Sequence, residues 1–158
     1  MYNSSNMIEN RIHLMNSTFV NEVMNKHVAM VGKSSSLQQV AESMKKPNIG
    51  CVIITDKTKP IGIITERDFV NVAAKGIPLF TDVHEAMSSP LITIDSEETV
   101  WEASETMKEK GIHKLPVMQN EKIVGIITTT DIVRISSVGS DSEMRRICDQ
   151  ILLRMKNE

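Results

Sequence analysis

Two stretches of the chain share five of seven residues: Gly62-Ile63-Ile64-Thr65-Glu66-Arg67-Asp68 and Gly125-Ile126-Ile127-Thr128-Thr129-Thr130-Asp131. They lie 63 residues apart (125 minus 62), and the same offset relates Val20 to Val83 and Met24 to Met87. No gap is needed anywhere between Val20 and Val133. The sequence therefore predicts one supersecondary unit that occurs twice, with short extensions at both ends.

The composition is that of an ordinary globular protein. Its 158 residues, 41% of them hydrophobic, are enough for one domain or for two small units that share a core. No stretch approaches the roughly 20 apolar residues of a membrane span, and residues 1–10 lack a basic segment followed by an apolar run. We therefore expect a cytoplasmic protein with no membrane association. The net charge of −2 argues against a nucleic-acid partner but permits local basic pockets.

Cysteine and histidine form no metal-binding pattern. Cys51 and Cys148 are far apart and lack any Cys-x-x-Cys or Cys/His spacing, and the four histidines are scattered. We expect neither a metal site nor a disulfide. Cys51 lies in an apolar run, where a small buried residue is the simplest interpretation.

The spacing of apolar residues predicts strand, helix, strand, strand, helix in each unit. The capping box Ser36-Leu37-Gln38-Gln39 opens the first long helix, and Thr99-Val100-Trp101-Glu102 is the same box at the same offset. Pro47-Asn48 and Gly111 are expected to end these helices. The predicted strands are residues 29–31, 51–55 and 61–65, then 115–118 and 123–128, and further helices begin near residues 66 and 129.

These elements predict an α+β fold of two β-α-β-β-α repeats, residues 20–77 and 78–137. The two should pack together, because a unit of about 55 residues buries little surface alone. Residues 1–19 form an N-terminal helical extension in this interpretation, and residues 138–158 a C-terminal amphipathic helix. The apolar stripe of that last helix, from Met144 to Met155, could pack on its own module or on a second subunit.

The repeated stretch has the features of a ligand site. An apolar strand ends at Thr65 and a helix follows at once, so the first N–H groups of that helix face whatever lies beyond the strand and favour an anion. Arg67 can add a charge, and the carboxylate of Asp68 can accept hydrogen bonds from two adjacent ribose hydroxyls. Gly62 leaves room for another backbone or a flat ring.

The same residues also fit a purely structural role. Thr-x-x-Asp ahead of a helix is a capping motif, with Thr65 as the cap and Asp68 favoured by the helix dipole. Duplication copies a cap as faithfully as it copies a site. Both interpretations therefore remain open at this level.

The pattern resembles the cystathionine-β-synthase (CBS) domain, and two such units in tandem resemble a Bateman module. The resemblance rests on the two repeated stretches, on Lys110-Gly111-Ile112-His113-Lys114-Leu115-Pro116-Val117, and on Met24 and Met87 before each first strand. It covers about residues 20–136. It implies two repeats related by a pseudo-two-fold axis and a regulatory module without catalytic activity.

What the resemblance implies is an adenosine-containing ligand in clefts between the repeats. AMP, ADP and ATP are the first candidates, and S-adenosylmethionine and coenzyme A are others. Asp68 and Asp131 would hold ribose hydroxyls, with Thr65 and Thr128 near ribose or phosphate. The candidates for phosphate contacts are Arg67, His113 and Lys114, the last two because the segment around them resembles one in the AMP-activated protein kinase γ-subunit. The candidates for adenine contacts are Val28, Ala29, Ile49 and Cys51, together with Leu91, Ile92, Ile112 and Leu115.

The repeats differ at their basic positions. Gly50-Cys51 corresponds to His113-Lys114, and Glu66-Arg67 corresponds to Thr129-Thr130. The basic groups are thus divided between the repeats, which speaks against equal occupancy of two sites.

Three functions follow in decreasing order of support. The first is a ligand sensor that forms a homodimer and acts on a partner protein that the sequence does not name. The second is a ligand-free CBS dimerisation or interaction module. The third is a nucleotide-using enzyme, against which stands the lack of a visible Gly-rich phosphate loop, of a clustered metal set and of a nucleophile with a placed base.

Overall fold

The computed structural model describes residues 4–136 of the chain. Its helices are α1 (Ser4–Ser17), α2 (Val20–Val23), α3 (Leu37–Met44), α4 (Glu66–Ala74), α5 (Val100–Lys110) and α6 (Thr129–Ser136). Its strands are β1 (Met30–Gly32), β2 (Cys51–Asp56), β3 (Lys59–Thr65), β4 (Ile94–Asp95), β5 (Lys114–Gln119) and β6 (Lys122–Thr128). A 3₁₀ turn covers Val83–Glu85. The predicted C-terminal helix, with its stripe from Met144 to Met155, lies outside the described residues.

The elements form two compact units. His27–Ile92 make one, called here the middle unit, and the described residues before and after it, 4–26 and 93–136, make the terminal unit. Each contains a three-stranded sheet, with strand orders β1-β2-β3 and β4-β5-β6. The first two strands of each sheet are parallel and the last two antiparallel. The predicted α+β class and the repeated β-α-β-β-α order are confirmed.

The helix starts follow the predicted capping boxes. At α3, Gln39 N donates to Ser36 Oγ over 3.2 Å, and Ser36 N donates to Gln39 Oε1 over 3.0 Å. At α5, Thr99 and Glu102 make the same reciprocal pair. Gly111 ends α5 with φ of 63°, a left-handed conformation that glycine adopts without a Cβ penalty. Both predicted boxes and the predicted end of α5 are confirmed.

Each unit buries its own apolar core. In the middle unit, α3 and α4 cover the sheet with Leu37, Val40 and Val72 against the buried strand residues Val52 and Ile54. The central strands are buried on both faces, since residues 51–54 of β2 and 115–117 of β5 are all buried. In the terminal unit α1 packs against α5 and α6. No helix within residues 4–136 is long and apolar enough to cross a membrane.

The compact units do not coincide with the sequence repeats. The segment around Asn25 opens the first repeat in sequence, but Asn25 exchanges two backbone hydrogen bonds of 2.9 Å with Ile126 of the second. Its counterpart Ser88 exchanges equivalent bonds, of 2.8 and 3.1 Å, with Ile63 of the first repeat. Each sheet edge is therefore covered by the segment that opens the other repeat.

Candidate functional site

The candidate site consists of two equivalent junctions, where β3 meets α4 and where β6 meets α6. In both, a threonine ends the strand and an aspartate occupies the first helical turn. The strand places the threonine at the sheet end, and the helix starts immediately after it, so the helical N–H groups open toward the same point. The geometry of the two junctions can be compared atom by atom.

At the β3–α4 junction the aspartate binds back onto the threonine. Oδ2 of Asp68 accepts hydrogen bonds from Thr65 N over 2.7 Å and from Thr65 Oγ1 over 2.8 Å. No residue in the described range donates to Oδ1. One carboxylate oxygen thus caps the helix, the other has no donor among residues 4–136, and the aspartate itself is half-buried.

The β6–α6 junction repeats this arrangement with one addition. Oδ2 of Asp131 accepts from Thr128 N over 2.9 Å and from Thr128 Oγ1 over 2.7 Å, and Asp131 N donates to Thr128 Oγ1 over 3.3 Å. Here Oδ1 faces Nη1 of Arg134 at 3.6 Å. Arg134 was not among the residues predicted from the sequence, although the 63-residue offset pairs it with uncharged Asn71 and is the signal that could have found it.

The same reciprocal pair also occurs where no ligand is expected. At the start of α5, Glu102 Oε2 accepts from Thr99 N over 2.7 Å and from Thr99 Oγ1 over 2.9 Å. These bonds, led by that from the backbone N–H, lower the pKa of Glu102 from its ordinary value. A carboxylate in this geometry is sufficient to cap a helix, so the box alone does not identify a ribose site.

Strand register brings further candidates to the junctions. Cys51 lies opposite Thr65 across β2 and β3, and Lys114 lies opposite Thr128 across β5 and β6. Cys51 is buried and Lys114 half-buried. His113 joins the second junction because its carbonyl accepts a hydrogen bond of 3.0 Å from Thr129 N. Lys114 therefore lies beside Thr128, and the backbone of His113 contacts the first residue of α6.

The exposed basic candidates differ in their surroundings. Arg67 is exposed in the first turn of α4, next to Asp68 in sequence, and no residue within 4–136 forms an ion pair with it. His113 is exposed and lines an open, mainly apolar pocket of about 440 Å³ between α5 and α6. Ile112 lines the same pocket, whereas Thr128 and Asp131 do not. This pocket is therefore adjacent to the second junction but separate from its carboxylate.

The apolar candidates fall into two groups by burial. Most keep some exposed surface: Val28, Ala29, Ile49, Leu91, Ile92 and Ile112 are half-buried. Leu115 has no exposed surface and belongs to the core of the terminal unit. A side chain without exposed surface has nothing to offer a flat ring, so we leave Leu115 out of the proposed site.

Another backbone approaches Gly62, as the sequence suggested, and a methionine side chain approaches with it. A Cβ on residue 62 would lie 2.5 Å from Sδ of Met87 and 2.8 Å from the carbonyl oxygen of Ser88. A Cβ on residue 125 would meet Met24 in the same way. The space at Gly62 is therefore filled by the backbone carbonyl of Ser88, which is the approach of another backbone that we expected, and also by the thioether of Met87.

The described residues contain no group of three or more His, Cys, Asp or Glu side chains that could hold a metal ion.

Two Thr-x-x-Asp junctions in a duplicated β-α-β-β-α unit are the pattern of a tandem CBS pair. The CBS-domain family model matches residues 20–75 and 82–138, and the chain belongs to this family.

Comparison with known proteins supports the pair architecture. The chain is 38% identical over 125 residues to the protein MK0525 of Methanopyrus kandleri. The matched region covers 77% of this chain but only 64% of that relative. It is 28% identical to the CBS domain-containing protein YhcV of Bacillus subtilis, over 83% of this chain and 96% of YhcV. The crystal structure of the CBS domain pair of MJ0100, solved with 5′-methylthioadenosine and S-adenosyl-L-methionine, superposes with a TM-score of 0.71 at 27% identity, covering 78% of this chain and 98% of that one.

Proposed function

We propose that the chain is a regulatory module that binds an adenosine-containing ligand, with the ribose hydroxyls on the carboxylates of Asp68 and Asp131. AMP, ADP and ATP are the first candidates, and S-adenosylmethionine and coenzyme A are the next. The observation that carries the proposal is Oδ1 of Asp68, to which no residue in the described range donates, at the open start of α4. The adenosyl ligands of the MJ0100 pair support the ligand class.

The proposed ribose contact is compatible with the helix cap. An ionised carboxylate has about four lone-pair positions. The Thr65 N–H and hydroxyl use two of them, both on Oδ2. The remaining two, on Oδ1, match the two adjacent hydroxyls of a ribose. The ligand can therefore bind Asp68 without displacing Thr65, and α4 keeps its cap in both states.

The phosphate end of the ligand would meet different groups at the two junctions. Arg67, exposed in the first turn of α4, offers a guanidinium one residue before Asp68 in the sequence. Lys114 offers a basic group opposite Thr128, and His113 is the next candidate, with its backbone bonded to the start of α6. Helical N–H groups add a partial positive charge at each junction. For the adenine ring we retain the half-buried apolar candidates, together with Cys51 for its position opposite Thr65.

We propose that this module regulates a partner protein and does not catalyse a reaction. The polar groups at both junctions are assigned to capping or to ligand contacts, and none remains as a nucleophile with an oriented base. A homodimer is part of the proposal. Its support is the exposed apolar surface of the terminal unit at Ile8 and Ile12 on α1 and Val133 on α6, which a second copy could cover symmetrically.

One observation favours a second function, that of a ligand-free dimerisation or interaction module. The Thr99–Glu102 pair reproduces the bonds of Thr65 and Asp68 at a helix where no ligand is expected. If Asp68 and Asp131 serve only as caps, the chain keeps its fold and its surfaces but binds no nucleotide.

Thermal melting with added ligand separates the two functions. A ligand that binds only the folded state raises the midpoint, and a concentration of 100 times Kd stabilises it by about 2.7 kcal/mol. We expect a concentration-dependent rise with at least one of AMP, ADP, ATP or S-adenosylmethionine. GMP and GTP are the matched controls, since they carry the same ribose and phosphates on another base. An unchanged midpoint with every adenosyl compound would favour the ligand-free module.

A further inference from the structure

The carboxylates at the two proposed ribose positions differ at Oδ1. In the middle unit, no residue of the described range donates to Oδ1 of Asp68. In the terminal unit, Oδ1 of Asp131 lies 3.6 Å from Nη1 of Arg134. The Oδ2 atoms of the two aspartates make the same contacts, because each accepts from one backbone N–H and one hydroxyl. The second junction adds a bond of 3.3 Å from Asp131 N to Thr128 Oγ1. Of the two carboxylate oxygens, only Oδ1, which the ligand would use, differs in its partners.

The pairing of Arg134 with Asp131 follows from the helix. The two residues are three positions apart in α6, which places their side chains on the same face. The carboxylate side chain is 17% exposed and that of the arginine 65% exposed, so the pair is open to solvent on the arginine side. The equivalent residue of the first repeat is Asn71, which carries no charge. The sequence thus introduces the ion pair in one repeat only.

We propose that Arg134 is a specificity-determining residue that makes the two ribose positions unequal. Its guanidinium competes with the ribose hydroxyls for Oδ1 of Asp131, so an adenosyl ligand fills the Asp68 position first. This inference rests on the proposed function, because it assumes that both carboxylates bind ribose. It predicts graded occupancy of two junctions whose aspartates cap their helices through the same two Oδ2 contacts.

The size of the effect follows from the exposure of the pair. Exposed ion pairs are weak, and competition from one such ion pair corresponds to a difference in ligand affinity of about two- to five-fold.

Adenosine is the appropriate probe, because it carries the ribose and the base but no phosphate. A phosphate would attract the guanidinium and mask the competition at Oδ1.

The test is a calorimetric titration of the full chain with adenosine. Asp68→Asn weakens the first position and leaves the second to be measured. Adding Arg134→Asn, which copies Asn71, should then raise the affinity about two- to five-fold. In the reciprocal background, Asp131→Asn, adding Asn71→Arg should lower the affinity by a similar factor. Lys122→Asn, a charge removal at the exposed start of β6, is the control and should leave adenosine affinity unchanged.

The outcomes separate this inference from the proposed function. Opposite shifts in the two backgrounds, with melting temperatures of the ligand-free variants close to their parents, support the inference. Adenosine binding that Arg134→Asn leaves unchanged or weakens overturns the inference and leaves the proposed function standing. Absence of adenosine binding to the unmodified chain overturns both.

Discussion

The thioether of Met87 occupies the space that a side chain on residue 62 would need. A Cβ at Gly62 would lie 2.5 Å from Met87 Sδ and 3.1 Å from Met87 Cγ. Residues 24 and 125 stand in the same relationship, with Met24 Cγ at 2.8 Å from a Cβ on residue 125. Each glycine is therefore explained by the methionine of the segment that covers its strand.

We expect Gly62→Ala and Gly125→Ala each to destabilise the fold by about 1–3 kcal/mol, because the added methyl forces a packed methionine and a backbone carbonyl to move. Denaturant unfolding measures this directly. Gly32→Ala is the control, since nothing lies within 4 Å of a Cβ there and its stability should be unchanged or slightly higher.

Double-mutant cycles should then assign each methionine to its strand. Residues in contact show interaction energies of about 0.5–3 kcal/mol, whereas distant pairs add independently. Gly125→Ala should couple to Met24→Ala and not to Met87→Ala, and Gly62→Ala should couple to Met87→Ala. Coupling within the sequence repeats, Met24 with Gly62, would contradict the segment assignment described above.

Much of this fold could be predicted from the sequence, because its signals are local. The capping boxes at Ser36 and Thr99 fix two helix starts, and Gly111 fixes a helix end. The 63-residue offset supplies the second unit from the first. The pairing of segments could not be predicted, because the methionines at 24 and 87 are chemically identical and each could fit either glycine. Only three-dimensional packing distinguishes the two arrangements.

The sequence indicated which residues lie at the candidate site, but it did not indicate what each of them does there. Sequence brought Thr65 and Asp68 forward, but it could not decide between a cap and a ribose contact, because both use the same carboxylate. In the structure Oδ2 of Asp68 makes the cap bonds, and no residue in the described range donates to Oδ1, the oxygen that we propose for ribose. Leu115 was chosen for its apolar character, and only burial reveals that its side chain has no exposed surface.

Glu102 should give the fold a pH dependence that Glu102→Gln removes. The folded state lowers its pKa through the Thr99 hydrogen bonds, so its stabilising contribution is present above the ordinary glutamate pKa of about 4.3. It is lost as the pH falls through the lowered value. Gln39 occupies the equivalent position in the first repeat without a charge. The unfolding free energies of the unmodified chain and of Glu102→Gln should differ by a constant amount between pH 7 and about pH 5. Below about pH 5 the two values should converge. A difference that stays constant throughout would contradict the assignment.

The chain should sediment as a dimer at micromolar concentration. Exposed Ile8, Ile12 and Val133 supply apolar surface that a symmetric partner can bury. Ile8→Glu combined with Ile12→Glu should weaken the association without unfolding the monomer, because both side chains are exposed on α1. Analytical ultracentrifugation that finds a monomer for the unmodified chain, with and without nucleotide, would remove the dimer from the account.

Incubation with ATP and Mg²⁺ should leave the nucleotide intact. Phosphoryl transfer needs a positioned attacking group and stabilisation of the transferring phosphoryl. The proposed site offers neither, since its carboxylates are assigned to helix caps and ribose. Release of ADP or phosphate above background, persisting in the Asp68→Asn, Asp131→Asn double variant, would indicate catalysis by residues outside the proposed site.

The most direct measurement is the affinity of AMP and ATP for Asp68→Asn, compared by calorimetry with the affinity for Glu102→Gln. Both changes remove the charge of a carboxylate that caps a helix through a threonine N–H and hydroxyl. Of these two residues only Asp68 is proposed to bind ribose, and a hydrogen bond to a charged group contributes about 1.5–3 kcal/mol. Asp68→Asn should therefore weaken binding at the Asp68 position about 10- to 100-fold, leaving the Asp131 position intact, while Glu102→Gln leaves both unchanged. Equal affinities in the two variants, with a lowered melting temperature for each, would mean that Asp68 is a cap and not a ribose ligand.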